Sequence, residues 1–318
     1  MKTTRRGVMA GGNWVMDQTK IIDRFPHQDG LANVLKESRG NGGSPYNILK
    51  DLSKLGVDFP LYGVGLVGND SNGNFILEDC RQHGIDISAV EAVDEKATSY
   101  TDVMTVKETG RRTFFHQRGA NSLLSRAQFN LKDSKAKILH LGYLLLLDEL
   151  DRLDEENRTQ ASYLLEDALH LGFKTSLDVV SENSERFRKI VPPALPFTHF
   201  LFLNEYEAGK ITGLDLRVKT SPNLERFKEA AELLLAMGVK EWVIIHCAQG
   251  ALAYHKSGKC HVQGSLKVPE KDIAGTSGAG DAFAAGVLWG LHDEKPMEEC
   301  PSCRGVYCGF LLKVAGAL

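Results

Sequence analysis

Apolar residues follow two different periods along most of the chain. Short unbroken apolar runs at 137–141, 199–204 and 241–245 are typical of buried strands. The intervals 154–171 and 222–238 instead repeat their apolar residues every three or four positions, which predicts helices with one buried face. Strands that alternate with helices in this way favour a parallel sheet covered on both faces. The pattern predicts a doubly wound α/β fold.

The pattern changes in two places. Near the N-terminus, residues 7–17 form a buried strand in this interpretation, and it runs out to the carboxylate of Asp17. Strand-like runs at 19–25 and 31–37 then flank a hairpin-like connection. Alternating runs also occur at 85–93, 98–106 and 112–117. We interpret these runs as a small antiparallel β-sheet lid, formed by about 18–40 and 86–120, within one domain that spans 1–318.

A glycine turn opens directly into a small-residue helix at residues 276–286. Gly278 and Gly280 allow a ligand to approach the backbone, and the free N–H groups of a first helical turn favour an anion. Asp281 lies in that first turn. It is either a charge that stabilises the helix or a base that accepts a proton from a hydroxyl attacking a bound phosphoryl group. The turn alone leaves both interpretations open.

A second glycine turn, Gly42-Gly43, also leads into a predicted helix. Ser44 is a favourable N-cap, and Pro45 suits the first helical position. Asn47 follows one turn inside the helix. Its amide contacts either solvent or a ligand, and this turn alone does not decide between them.

Composition excludes several classes of partner. The 318 residues carry a net charge of −3, with a pI near 6.4, which argues against a nucleic acid or an anionic membrane surface. No apolar run approaches the length of a membrane span. Six cysteines without regular spacing fit a reduced protein, so we expect a cytoplasmic location.

Three motifs in this order resemble the ribokinase-like (PfkB) family of carbohydrate kinases. They are Gly42-Gly43-Ser-Pro-Tyr-Asn47, Asn204-Glu-Tyr-Glu207 and Gly278-Ala-Gly-Asp281. The resemblance covers nearly the whole chain and implies a ribokinase-like fold with a β lid. It also implies transfer of the γ-phosphoryl group of ATP to a sugar hydroxyl.

The resemblance assigns catalytic and phosphate-binding roles to individual residues. Asp281 matches the catalytic base, and the backbone of Gly278, Ala279 and Gly280 matches the anion hole for the transferring phosphoryl group. Asn204 and Glu207 match an N-x-x-E element that helps to hold Mg²⁺ and the phosphates, largely through water.

Other positions match the family's ligand pockets. Asp17, Gly43 and Asn47 match positions that bind sugar hydroxyls. Arg118, on the return from the lid, is a further candidate for contact with the substrate, or else a solvated surface arginine. On the nucleotide side, the corresponding residues are Cys247, Gly250 and Thr276.

The chain also departs from the family pattern. Gly275 stands where many members have an Asp that helps to bind an activating monovalent cation, which places potassium activation in question. Cys247 replaces a frequent glycine of the nucleotide loop. Gly142 and Val15 stand where ribose-specific members have Glu and Asn, so ribose itself is a less favoured substrate. The segment 300–318 is bulkier than the alanine-rich helix expected over the nucleotide.

The leading hypothesis is an ATP-dependent sugar kinase that acts on a hydroxyl, expected to be primary. One alternative is a nucleoside kinase of the same family, with Trp14, Tyr46 and Phe115 as sources of a base pocket. Another is a protein of this fold that binds ligand with little catalysis. A homodimer through the lid is also expected, because exposed edge strands readily pair with a second copy.

Overall fold

Nine strands form the main sheet of the computed structural model, which describes residues 5–219, 221–266, 278–300 and Ser302. The strand order is β15-β14-β13-β10-β9-β8-β1-β4-β5. The strands from β13 to β5 run parallel, and β14 and β15 complete one edge in antiparallel pairing. Numbered in chain order, the nine strands are β1 (Val8–Gly12), β4 (Leu61–Gly68), β5 (Asp86–Val93), β8 (Ile138–Leu144), β9 (Lys174–Val179), β10 (Phe200–Asn204), β13 (Trp242–Cys247), β14 (Gly250–His255) and β15 (Cys260–Gly264).

Helices cover both faces of this sheet, as the alternating pattern predicts. The described helices are α1 (Ser44–Lys54), α2 (Ser71–Gln82), α3 (Asp148–Asp151), α4 (Gln160–His170), α5 (Phe187–Ile190), α6 (Glu205–Thr212), α7 (Leu224–Ala236) and α8 (Ala279–His292). Apolar residues of α1, α2 and α8 pack on one face, and those of α4, α6 and α7 pack on the other. In β10, for example, Phe202 faces the first group and Leu203 faces the second. Burying such a side chain stabilises the fold by roughly 1.5–3 kcal/mol.

A second sheet of four strands forms the lid, in the order β3-β2-β6-β7. Its strands are β2 (Val15–Ile22), β3 (Val34–Gly42), β6 (Tyr100–Val106) and β7 (Arg112–Gln117). The β2–β3 hairpin is present as predicted, but β2 and β6 pair in parallel, so the lid is not wholly antiparallel. Two-residue strands β11 (Arg217–Val218) and β12 (Ser221–Pro222) form a separate short ribbon.

Two strand assignments made from the sequence were wrong. Residues 7–17 are not one strand, because the chain leaves the main sheet at Gly12 and enters the lid at Val15. Asp17 therefore lies within the lid sheet and not at the end of a main-sheet strand. Strand β5 belongs to the main sheet, where it pairs with β4, so the second lid segment begins at Tyr100 and not near residue 86.

The connection from the main sheet to the lid is buried and tightly hydrogen-bonded. Asn13 and Trp14 have no exposed surface. The Trp14 backbone N–H donates to Asn121 Oδ1 (3.2 Å), and Asn121 Nδ2 donates back to the Trp14 carbonyl (3.0 Å). The Trp14 indole N–H donates to the Val64 carbonyl at 2.9 Å. Because Asn121 follows the last lid strand, the first connection into the lid is bound directly to the last connection out of it.

None of the helices in the described ranges combines the length and the hydrophobicity that a membrane crossing requires.

Candidate active site

Two helix N-termini meet at the carboxyl end of the parallel strands. Helix α8 begins after Gly278, whose φ of 75° lies in the left-handed region that glycine adopts without strain. Helix α1 begins after Gly43, and a Cβ on Gly43 would lie 1.9 Å from the Asn13 carbonyl oxygen. A Cβ on Gly278 would lie 3.4 Å from Asn47 Nδ2. Glycine at 43 thus allows the start of α1 to lie against the Asn13 carbonyl, and the first turns of α1 and α8 are in van der Waals range of each other.

Asp281 lies between these two helices and is 5% exposed. Asn47 Nδ2 donates to its Oδ2 at 2.7 Å, and the Tyr143 hydroxyl lies 2.9 Å from both carboxylate oxygens. Asn47 and Asp281, which were predicted separately as a substrate-binding residue and a base, are therefore in direct contact across 234 positions of sequence. The carboxylate is held in a fixed orientation beside the free N–H groups of two helices, where an anion is favoured.

Burial and charge set the proton affinity of this carboxylate. Burial and the nearby Asp178 carboxylate raise the pKa of Asp281 well above its usual range, and the hydrogen bonds from Asn47 and Tyr143 oppose that rise. Burial, with Asp281 and Asp178 close by, also raises the pKa of the Tyr143 hydroxyl, so Tyr143 remains a donor at neutral pH. Once ionised, Asp281 would be a stronger proton acceptor than an exposed aspartate.

Asp178 and Tyr143 were not predicted as site residues. Asp178 is buried near the end of β9, one residue before Val179, and its Oδ2 accepts from the Ser44 hydroxyl at 2.8 Å. Ser44 also contacts His140 Nε2 at 2.9 Å, so its hydroxyl ties α1 to β8 and β9 and does not cap the helix. The N-cap expected at Ser44 was wrong, because Gly43 occupies that position. A carboxylate at the end of a strand was the one sequence signal that could have identified Asp178.

Asn204 and Glu207 join through reciprocal hydrogen bonds at the start of α6. Asn204 Oδ1 accepts from the Glu207 N–H (2.9 Å), and Glu207 Oε2 accepts from the Asn204 N–H (2.8 Å), which forms a capping box. Ser181 and the Asn204 amide both donate to Glu207 Oε1 at 2.8 Å. Burial, with Asp178 adding to it, raises the pKa of Glu207 to about 8.

These contacts bear on how Mg²⁺ would be held. Within the described ranges, no group of three or more His, Cys, Asp or Glu side chains is arranged to hold a metal ion directly. Both oxygens of Glu207 already accept hydrogen bonds, so its remaining lone pairs suit water molecules around an ion better than direct coordination. Glu207 lies close enough to Asp178 for the two charges to interact, and a hydrated Mg²⁺ beside them would favour the ionised form of Glu207. The residues present therefore fit an ion held through water.

The predicted nucleotide residues lie at the same edge of the sheet. Asn204 pairs in register with His246 of β13, and a Cβ on Gly280 would lie 3.2 Å from the His246 ring. Cys247 and Gly250 form the closing pair of the β13–β14 hairpin next to His246. Burial lowers the pKa of His246 to about 4, so the ring is neutral beside the first turn of α8. Thr276 and Gly275, and residues 303–318, lie outside the described residues.

Asp17 reaches the site from the lid. A Cβ on Gly42 would lie 2.4 Å from Asp17 Oδ2, so the glycine allows the carboxylate to sit against the turn that precedes α1. Burial raises the pKa of Asp17 to about 6, against the opposing effects of Thr101 and Arg112. The structure thus places Asp17, Gly43, Asn47 and Asp281 along one path from the lid to α8.

Arg118 has a different setting from the one expected of a residue that contacts substrate. Its guanidinium donates to the Leu145 carbonyl (3.0 Å) and forms ion pairs with Asp148 (2.9 Å) and Glu182 (3.2 Å). Arg186 contacts the same carbonyl at 3.0 Å and also pairs with Glu182. These arginines bind the loops that follow β8 and β9, and their positive charge is compensated there.

The aromatic residues suggested for a base pocket also differ from expectation. Trp14 is fully buried and Tyr46 is 2% exposed, so both are core residues, as aromatic side chains more often are, and neither presents a surface on which a base could stack. Phe115 is 52% exposed, on the lid strand β7.

Comparisons with known proteins agree with this geometry. The chain is 26% identical over 273 residues to a ribokinase of Schizosaccharomyces pombe. This match covers 82% of this chain and 77% of that protein. It is 25% identical to an ATP-dependent ribose-1-phosphate kinase of Halopiger xanaduensis, over 95% of this chain and 92% of the other. The solved structure of Arabidopsis thaliana ribokinase complexed with ribose and ATP has the same fold, with a TM-score of 0.73 and 22% identity. That match covers 93% of this chain and 89% of the other.

A model of one family matches nearly the whole chain. The family is described as pfkB family carbohydrate kinase, and the match spans residues 8–309, which include the turns at Gly42-Gly43 and Gly278-Gly280 and both flanking helices. Members with these names are phosphotransferases that act on an alcohol group. The chain belongs to the pfkB family of carbohydrate kinases.

Proposed function

We propose that this enzyme transfers the γ-phosphoryl group of ATP to a hydroxyl, expected to be primary, of an uncharged monosaccharide. The observation that carries the proposal is the buried carboxylate of Asp281, held by Asn47 and Tyr143 between the N-termini of α1 and α8. A base is needed there to accept the proton of the attacking hydroxyl, and the N–H groups of Gly278, Ala279 and Gly280 suit the charge of the transferring phosphoryl group. The ribokinase of Arabidopsis thaliana, whose structure was solved with ribose and ATP bound, supports both classes of ligand.

In the proposed reaction the acceptor oxygen attacks the γ-phosphorus, its proton passes to Asp281, and ADP leaves. Mg²⁺, held through water by Glu207 and Asn204, would neutralise charge on the phosphates. Cys247, Gly250 and Thr276 border the nucleotide in this proposal. Asp17 and Gly43 bind sugar hydroxyls from the other side, and the single domain closes its lid over them to exclude water.

Charge in the site favours an uncharged acceptor. Asp17, Asp178, Glu207 and Asp281 place four carboxyl groups around the path from the lid to α8, while Arg118 pairs with Asp148 and Glu182. Burial already disfavours the ionised forms of Asp17, Glu207 and Asp281, so the negative charge of a sugar acid or a sugar phosphate would be disfavoured there as well. Neither nearby arginine is free to compensate it, because Arg118 pairs with Asp148 and Glu182 and Arg112 interacts with Asp17. A sugar phosphate, which is the substrate in the name of the related ribose-1-phosphate kinase, is therefore expected to suit this site less well than a neutral sugar.

The test is ADP release with MgATP across matched acceptors: neutral hexoses and pentoses, their aldonic acids, their phosphates, polyols and nucleosides. We expect neutral sugars to stimulate release, and Asp281→Asn to lower that rate by about 10² to 10⁴. Asp293→Asn is a matched control, because Asp293 caps the other end of α8. If sugar-dependent release survives in Asp281→Asn, Asp281 is not the base. If only acids or phosphates stimulate release, the proposed substrate class is wrong.

We also propose a homodimer formed through the lid. Its edge strands β3 and β7 expose Val34, Leu35 and Phe114 at 50–56%. Apolar side chains along an open edge favour pairing with a second copy. Light scattering after size exclusion should give a mass near twice 35.0 kDa, and Phe114→Lys should shift it toward the monomer. A monomer at all concentrations would contradict this proposal.

A further inference from the structure

Three polar side chains form a row across the lid sheet. Asp17 of β2 is in register with Thr101 of β6, and Thr101 is in register with His116 of β7. Residues in register on neighbouring strands project from the same face of a sheet. Because Asp17 lies against Gly42 beside the α1 turn, the row belongs to the lid face that covers the site.

Hydrogen bonding fixes the proton positions along this row. The Thr101 hydroxyl hydrogen-bonds to the Asp17 carboxylate, which has only acceptors when ionised. Thr101 has one hydroxyl proton, so its contact with His116 Nδ1 (2.9 Å) requires the ring to donate. Burial and the nearby Arg118 lower the pKa of His116 to about 4, so the ring is neutral at pH 7. A neutral ring that donates through Nδ1 presents Nε2 as an acceptor.

His116 Nε2 is buried, and no described residue forms a hydrogen bond with it. Leaving a buried acceptor without a partner is unfavourable, so this nitrogen requires a partner beyond the described side chains, such as a water molecule, an ion or a ligand hydroxyl. We propose that His116 is a specificity-determining residue whose Nε2 accepts a hydrogen bond from one hydroxyl of the bound sugar. The inference rests on the proposed sugar kinase activity. It adds a residue that none of the three family-like motifs includes.

The row explains why a histidine serves this purpose. Asp17 and His116 Nε2 are both acceptors, so together they select a ligand with two hydroxyl donors. Thr101 bridges them and holds both side chains in place. A ligand that lacks one of those hydroxyls would leave a buried acceptor unpaired, and such a site discriminates strongly against it.

The experiment compares two variants that each keep half of the ring's hydrogen bonding. His116→Asn retains a donor near the Nδ1 position and loses the Nε2 acceptor, whereas His116→Gln places an amide oxygen near the Nε2 position. With the neutral sugar that wild type prefers, we expect His116→Asn to raise the sugar KM about 3- to 10-fold. The KM for ATP and kcat should stay within about twofold, and His116→Gln should recover most of the sugar affinity.

Monodeoxy analogues of that sugar identify the partner hydroxyl. For the analogue that lacks it, the ratio of KM between His116→Asn and wild type should fall to about one, because neither protein can then form the bond. A merely structural role for His116 predicts the same ratio for every analogue. That result, or an unchanged sugar KM in His116→Asn, would overturn the inference while leaving the kinase proposal standing. If wild type phosphorylates no sugar, the kinase proposal fails, and this inference fails with it.

Discussion

Removing the Tyr143 hydroxyl tests how the protein controls its proposed base. In Tyr143→Phe, Asp281 loses the donor that lies 2.9 Å from both of its oxygens, and the ring remains to fill the buried space. Asn47 still donates to Oδ2, so the carboxylate keeps its orientation. The main expected change is therefore in the pKa of Asp281 and not in the packing of the site.

The magnitude follows from the strength of a hydrogen bond to an ionised group. Such a bond contributes roughly 1.5–3 kcal/mol, and one pKa unit corresponds to about 1.36 kcal/mol. Because the hydroxyl stabilises the carboxylate form, its loss should raise the pKa of Asp281 by about 1–2 units. On the acid side of the profile, where the rate depends on the ionised fraction, the loss is then about 10- to 100-fold at fixed pH.

The assay is kcat/KM for the sugar between pH 5 and 9.5 at saturating MgATP, with kcat measured in parallel. Tyr46→Phe is the matched control, because it removes the hydroxyl of another tyrosine, one that donates to Asp79 (2.6 Å) and not to Asp281. We expect the acid limb of Tyr143→Phe alone to move toward higher pH. The reasoning is refuted if that limb stays in place, moves to lower pH, or moves equally in Tyr46→Phe.

Three further predictions concern other charged groups. Burial raises the pKa of Glu207 from 4.5 to about 8, so between these pH values the ligand-free folded protein keeps a proton that the unfolded chain has released. The Tm of the wild-type protein should therefore fall as pH rises from 4.5 to 8, and the Tm of Glu207→Gln should fall less steeply. Equal slopes of Tm against pH in the two proteins would contradict this prediction. Because burial raises the pKa of Asp17 to about 6, Asp17 takes up a proton below that pH and becomes a weaker hydrogen-bond acceptor for a sugar hydroxyl. The sugar KM should therefore rise below pH 6 in wild type and stay level there in Asp17→Asn. A wild-type KM that is constant from pH 5 to 8 would count against Asp17 as a sugar ligand. Arg118→Gln should change the sugar KM by less than about threefold and lower the free energy of unfolding in urea by no more than about 1 kcal/mol, because its ion pairs are partly exposed; a tenfold rise in KM would show that Arg118 binds substrate after all.

Hydrophobic periodicity predicted most elements because it reports burial against one sheet. Hydrophobic periodicity failed where strands of the two different sheets have the same pattern of buried and exposed residues. Residues 8–16 are buried throughout, although the chain passes from one sheet to another at Asn13 and Trp14, so no change in burial marks the break, and the one polar residue there, Asn13, is itself buried. Strand β5 has one exposed face at the edge of the main sheet, and its alternation is the same as that of a lid strand.

The candidate site shows a similar division. Glycine turns and helix starts are local features, so Gly43, Asn47, Gly278 and Asp281 could be predicted from short motifs. The contact of Tyr143 with Asp281 joins residues 138 positions apart and leaves no local signal. Ser44 shows a tertiary contact overriding a local preference, because Asp178 takes the hydroxyl that was expected to cap α1.

The buried junction between Trp14 and Asn121 attaches the lid firmly at one end, so it would be the pivot of any rotation of the lid. Trp14 and Asn121 are hydrogen-bonded to each other and have no exposed surface, so a rotation of the lid would take place about this junction without breaking it. Strand β2 extends eight residues beyond the pivot, which is about 26 Å at 3.3 Å per residue. A rotation of about 10° at Trp14 therefore moves the far end of the strand by about 4–5 Å. If the lid closes as proposed, small adjustments around Trp14 and Val64 would therefore give displacements of several ångströms at the rim of the proposed sugar site.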